Sequence, residues 1–124
     1  MIVHIVTPFT SSNVLAEAAG AEVWLKYESA QPTGSFKIRG IGFACTAYAR
    51  RGARGFVSSS GGNAGLAVAY AGRLLGLPVT VIVPATTSQR AQDLIARQGA
   101  TVRIHGANWD EAHRLALEIS GPER

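Results

Sequence analysis

One lysine stands in an unusual local setting. In the stretch Gln31-Pro32-Thr33-Gly34-Ser35-Phe36-Lys37-Ile38-Arg39-Gly40, Pro32 and Gly34 punctuate a loop, Ser35 is a good N-cap, and a helical pattern begins with Phe36. Lys37 therefore falls in a first helical turn. The partial positive charge of a helix N-terminus disfavours an ammonium, so the position suits an amine used as nucleophile or base. The ordinary alternative is a solvated surface charge, which describes most lysines. This chain has only two, Lys26 and Lys37, against ten arginines. A second loop, Ser58-Ser59-Ser60-Gly61-Gly62-Asn63-Ala64-Gly65, follows a strand-like segment and opens a helix-like one. It presents backbone N–H groups at a helix start with no bulky side chain in front, which is a setting that binds anions. Against that stands a tight strand-to-helix turn that needs glycine for backbone reasons alone.

The elements that must position these loops read out in order. Residues 1–8 are a short extended entry, and 10–13 offer caps for a helix through Ala19 that Gly20 stops. A strand is expected over 22–28, with Val23, Leu25 and Tyr27 alternating against Glu22, Trp24 and Lys26. The lysine loop opens a helix over 35–51, with Phe36, Ile38, Ile41, Phe43, Cys45 and Tyr48 as its apolar positions and Gly52 as its stop. Strands over 56–59, 79–83 and 101–105 then alternate with helices over 63–75, 88–98 and 109–119. Gly76 and Gly99 end the first two of these helices, and Pro78 and Pro84 bound the middle strand. Regular alternation, with a fully apolar strand such as Val-Thr-Val-Ile-Val, predicts an α/β fold: a parallel sheet flanked by helices in three layers.

Composition narrows the classes. With 124 residues, 47% hydrophobic and 16% charged, the chain has the length and composition of one globular domain. No apolar run reaches the roughly 18 residues of a membrane span, and no basic n-region precedes the short apolar start, so a cytoplasmic protein without membrane contact is expected. The lone Cys45 agrees with a reducing compartment and reads as packing rather than as a nucleophile. The net charge of +4 raises nucleic acid, but the arginines are scattered, with only Arg50-Arg51 adjacent, so no nucleic-acid partner is expected. Glycines at 61, 62 and 65 do not give the dinucleotide fingerprint, and no Asp or Glu sits near position 85 to hold a ribose. A P-loop is excluded because no Gly-Lys-Ser/Thr follows the glycines. His4, His105 and His113 show no metal-ligand spacing and read as strand-end or helix-surface residues, so no metal is expected. Asp110 and Glu111 suit the first turn of the last helix. Trp24 and Trp109 read as packing.

Taken together, Pro-Thr-Gly-Ser-Phe-Lys-Ile-Arg-Gly and Ser-Ser-Gly-Gly-Asn-Ala-Gly resemble the Schiff-base lysine segment and the substrate loop of the pyridoxal-phosphate-dependent serine/threonine dehydratases. These belong to fold type II, the tryptophan synthase beta-like enzymes, and the likeness is greatest to the serine dehydratase-like branch. It runs along essentially the whole chain. The resemblance implies pyridoxal 5'-phosphate as cofactor. Lys37 matches the lysine that holds it and then acts as the base that removes the Cα proton. Phe36 matches the aromatic residue packed on the ring, and Asn63 the amide that hydrogen-bonds its phenolic oxygen. Ser60, Gly61, Gly62, Asn63 and Ala64 match the loop that holds the substrate carboxylate. The implied reaction is β-elimination from L-serine, or L-threonine, giving an oxoacid and ammonia. Cysteine synthase-like and threonine synthase-like enzymes fit less well, because they carry Asp where this chain has Ile38 and Thr-Gly where it has Ala64-Gly65.

Length is the main departure from that pattern. By the resemblance, 1–33 form the N-terminal strip of a large domain and 34–124 most of a small one, the last strand and the rest of the large domain being absent. The family's phosphate-cradling glycine loop, and the Ser or Cys that faces the pyridine nitrogen, have no counterpart here. The expectation is the N-terminal portion of such an enzyme, poorly active alone, with a family-like homodimer possible only at full length. The competing class is a non-catalytic module that binds an anion or nucleotide at 60–65.

Overall fold

The computed structural model describes residues 1–121. The elements run β1 (Phe9–Ser11), α1 (Asn13–Ala19), β2 (Trp24–Lys26), a 3-10 turn (Glu28–Ala30), α2 (Lys37–Arg50), β3 (Phe56–Ser58), α3 (Asn63–Leu75), β4 (Val79–Val83), α4 (Gln89–Arg97), β5 (Thr101–Ile104) and α5 (Trp109–Ser120). The alternation expected from sequence is the one observed. β3, β4 and β5 form a parallel sheet in that order, with Phe56 opposite Val79 and Thr80 opposite Thr101. β1 and β2 pair separately as an antiparallel ribbon, Phe9 opposite Lys26.

The apolar run of β4 is explained by burial on both faces, since it is the central strand. Val79, Val81 and Val83 pack with Ala69 of α3 and with Ile95 and Ala100. Ile82, on the opposite face, packs with Ala112 and Ala116 of α5. Helices thus cover both faces, which is the three-layer arrangement. α3 is itself sandwiched: Ala69 meets the sheet while Ala67 and Ala71 meet Ile38 and Cys45 of α2. Small residues make that close approach possible, and a Cβ on Gly72 would overlap the Val79 side chain.

Two expectations need correction. Ser35 does not cap α2. Phe36 occupies the cap position with φ −64° and ψ −18°, already helical, and no side chain caps the helix. The strand expected over 22–28 is cut to three residues because the chain turns into the 3-10 segment at Glu28. Among the described residues, no helix is long and apolar enough to cross a membrane.

Candidate functional site

Topology puts the two loops on one edge of the sheet. β3 and β4 are parallel, so α3 must run back from the carboxyl end of β3 to the amino end of β4. The short link over 51–55 likewise brings the end of α2 to the start of β3. α2 and α3, packed through Ile38, Cys45, Ala67 and Ala71, therefore run in the same direction. Both begin at the carboxyl edge of the strands, where open α/β sheets bind ligands.

These two helix starts differ from the others. Ser12, Ser88 and Asn108 cap α1, α4 and α5, each accepting from a first-turn N–H. Neither Phe36 before α2 nor Gly62 before α3 offers a side-chain cap. Lys37 is the first residue of α2 and is exposed, with Nζ 5.6 Å from the centre of the exposed Phe36 ring. Asn63 is the first residue of α3 and is exposed as well. Ser60 folds the loop on itself: the Gly62 N–H donates to Ser60 Oγ at 3.2 Å, and the Ser60 N–H donates to Ser58 Oγ at 3.3 Å. A Cβ on Gly61 would press on Thr87 at 2.9 Å, whereas one on Gly62 would meet only Ser60 Oγ, at 3.9 Å. Neither glycine has a positive φ. Gly61 is therefore a packing requirement, and Gly62 leaves open space before an uncapped helix. Ala64, half-buried, continues the first turn.

The lysine segment is anchored by a polar network that sequence reading missed. Arg39 donates through Nε and Nη2 to the two carboxylate oxygens of Glu28, each at 2.9 Å. Thr7 Oγ1 donates to the same carboxylate at 2.6 Å and Gln31 Nε2 at 3.1 Å. Hydrogen bonds from Arg39, then Thr7 and Gln31, hold the Glu28 carboxyl down at about 2. Gln31 also donates to the Ile5 carbonyl and accepts from the Ile5 N–H, at 2.9 and 3.0 Å. Gln31 and Arg39 were in view within the lysine stretch, yet only their three-dimensional partners reveal their role.

His113 is likewise more than a helix-surface residue: its Nδ1 lies 2.9 Å from Ser59 Oγ, and its ring stacks on Trp109. Trp109, read from sequence as packing, is 52% exposed and stacks on that polar ring without joining the core. Cys45 is buried in the α2–α3 interface, and burial raises its thiol to about 11, which is the packing role read from sequence.

The profile of the family described as "Pyridoxal-phosphate dependent enzyme" matches residues 2–122. The chain belongs to this family. Among the pyridoxal-phosphate-dependent enzymes, it is 50% identical over 117 residues to human L-serine dehydratase/L-threonine deaminase, covering 94% of this chain and 36% of that protein. It is 49% identical over 117 residues to the human serine dehydratase-like protein, with the same coverage. Its fold superimposes on the processed form of threonine deaminase isoform 2 from Solanum lycopersicum with a TM-score of 0.86 and 32% identity, covering 95% of this chain and 35% of that one. The chain spans about a third of the length of the curated relatives it matches.

The residues present fit part of the family's cofactor. Thr33 Oγ1 and Ser35 Oγ, on the approach to Lys37, are buried without a hydrogen-bond partner. Buried hydroxyls of this kind call for a partner, and a polar ligand beside Lys37 would supply one. The exposed amine, the exposed aromatic ring and the uncapped start of α3 are suited in turn to an aldehyde, a heteroaromatic face and a carboxylate.

Proposed function

We propose that this chain supplies the lysine and the substrate loop of an ammonia-lyase that uses pyridoxal 5'-phosphate. L-serine is the substrate and L-threonine the second candidate. The observation that carries this reading is the pairing, on one sheet edge, of an exposed lysine amine with an open glycine loop, the two helix starts left without caps. The names of the most similar relatives support the choice of substrate.

In this reading Lys37, Phe36 and Asn63 hold the cofactor, which supplies a sink for the electrons left at Cα. Lys37 Nζ accepts the Cα proton of the bound amino acid. Ser60, Gly61, Gly62, Asn63 and Ala64 hold the substrate carboxylate against the start of α3, which fixes the Cα–H bond toward that amine. The β-hydroxyl leaves as water, and a second water then hydrolyses the released enamine, giving ammonia with pyruvate from serine or 2-oxobutanoate from threonine.

The domain assignment follows from the same reading. Residues 1–33 serve as the first strip of a larger domain and 34–124 as a small one. The separate β1–β2 ribbon and the exposure of Val6, Phe9, Val14 and Trp24 support this division. Since the chain covers 36% of its human relatives, the 124-residue piece alone is proposed to turn over serine poorly.

The test is incubation of the chain with pyridoxal phosphate, borohydride reduction and peptide mapping. Label confined to Lys37, with a visible absorbance band before reduction, is the expected result. Label spread over Lys26 and the N-terminus would overturn the reading. Stabilisation by nucleotides without any label would point instead to an anion-binding module.

A further inference from the structure

The Ser59 hydroxyl lies 2.9 Å from His113 Nδ1 across 54 positions of sequence. Ser59 is the first residue after β3, and His113 belongs to α5, on the sheet face opposite α3. The bond therefore joins the loop to the far layer. Trp109, one turn earlier in α5, stacks on the imidazole with ring centres 4.5 Å apart and 11° between planes. That stack fixes the plane in which Nδ1 points. Within the loop, the hydrogen bonds of Ser60 and Gly62 are local, reaching only Ser58 and Ser60. Among the described residues, Ser59–His113 is the one side-chain hydrogen bond that ties 59–62 to an element beyond the adjoining β3. The two glycines make this stretch costly to order, so a single outside tie has a large share in fixing its shape.

We propose that His113 is a positioning residue. Through Ser59 it holds the loop that presents the start of α3, and so sets how tightly the carboxylate of an amino-acid substrate is bound. The carboxylate half of this inference rests on the function proposed above, while the loop-holding half rests on geometry alone. Nδ1 accepts from Ser59 when the ring proton is on Nε2 and donates to it otherwise, so either tautomer keeps the tie.

The experiment compares His113→Phe, which keeps the stacked ring but loses Nδ1, with Ser59→Ala, the double variant and His113→Asn. Backbone 15N relaxation of the full chain is the first readout. Order parameters at Ser60, Gly61 and Gly62 are expected to drop from near ~0.85 to below about 0.6 in either single variant. The double variant should show no more than either single one, because the two changes remove one shared bond. Asn, which offers an amide near the Nδ1 position, should restore much of the order. Unmoved loop amides, or effects that simply add, would overturn the proposal.

Turnover of serine is the second readout. KM should rise roughly three- to tenfold with kcat nearly unchanged, the pattern of lost uniform binding. A loosened loop without labelling of Lys37 by pyridoxal phosphate and borohydride in the parent would leave the tie standing and remove the lyase reading. Turnover with labelled Lys37 but an unmoved loop would do the reverse.

Discussion

Arg39 grips Glu28 with two parallel N–H groups at 2.9 Å each, two residues beyond Lys37. A two-pronged guanidinium–carboxylate pair fixes orientation as well as distance. The lysine-bearing start of α2 is thereby tied to the turn that follows β2, and through Thr7 to the entry segment.

This pair makes the fold sensitive to acid. Hydrogen bonding by Arg39, then by Thr7 and Gln31, lowers the Glu28 carboxyl from its ordinary 4.5 to about 2. Because the folded value lies below the unfolded one, the group's contribution is complete above the unfolded value and is lost as the pH falls toward the folded one. Thermal midpoints should therefore decline between about pH 4.5 and about pH 2. The decline should be shallower in Glu28→Gln and in Arg39→Ala, both of which start from a lower midpoint at neutral pH. Acid limbs that superimpose on the parent would show that the network contributes nothing.

Gln31 gives a second prediction. Gln31 is 4% exposed, and its side-chain amide stands in for a neighbouring strand, satisfying both the N–H and the carbonyl of Ile5. Gln31→Ala leaves those two groups without partners, and the expected loss is roughly 1–3 kcal/mol in urea unfolding. Gln31→Glu should be at least as damaging, since it removes the donor and places a second carboxylate beside Glu28. Parent-like stability in both variants would contradict the assigned role.

What the sequence could and could not reveal divides along locality. Gly20, Gly52, Gly76 and Gly99 were legible as helix stops, and each takes a positive φ, because the need for glycine there is set by the adjoining turn alone. β4 was legible because a strand covered on both faces is apolar at almost every position, the half-buried Thr80 being its one polar residue. Lys37 and the 60–65 loop stood out for the same local reasons. Ser35 misled because its type suits a cap, while the chain at Phe36 is already helical and turns the Ser35 hydroxyl inward. The Glu28 network draws on positions 7, 28, 31 and 39, and the Ser59–His113 bond spans 54 residues. No periodicity links such partners; only the packing of layers brings them together.

Cys45 provides a chemical check on the α2–α3 interface. It is 5% exposed among Val3, Ile38, Ala67 and Ala71, and burial raises its thiol from 9.0 to about 11. At neutral pH the thiolate fraction is then roughly a hundredfold lower than in the unfolded chain. Alkylation by iodoacetamide should be slow in the native protein and become fast in denaturant. The sign for stability is opposite to that of Glu28: the raised value contributes below about pH 9 and is lost as the pH rises toward about 11. Rapid native alkylation would mean that the interface opens readily or is not formed.

The two loop glycines that differ most in their surroundings give the sharpest contrast. Gly65 is buried in the first turn of α3, and a Cβ there would overlap the Ser60 carbonyl oxygen and lie 3.4 Å from Val81. Its φ is not positive, so the requirement is space and not conformational freedom. Backbone cannot rotate out of the way as a side chain can. Gly65→Ala must shift Ser60 or α3, at an expected cost of about 1–3 kcal/mol. Gly62→Ala meets nothing closer than Ser60 Oγ at 3.9 Å, and stability should stay within about 0.5 kcal/mol of the parent. Its methyl group would nevertheless occupy the open space before α3, so substrate binding should weaken while the unfolding midpoint holds. Urea midpoints and serine KM measured on both variants separate the two roles. Equal destabilisation by the two substitutions would show that Gly62 serves the fold, and that the space before it is not a binding site.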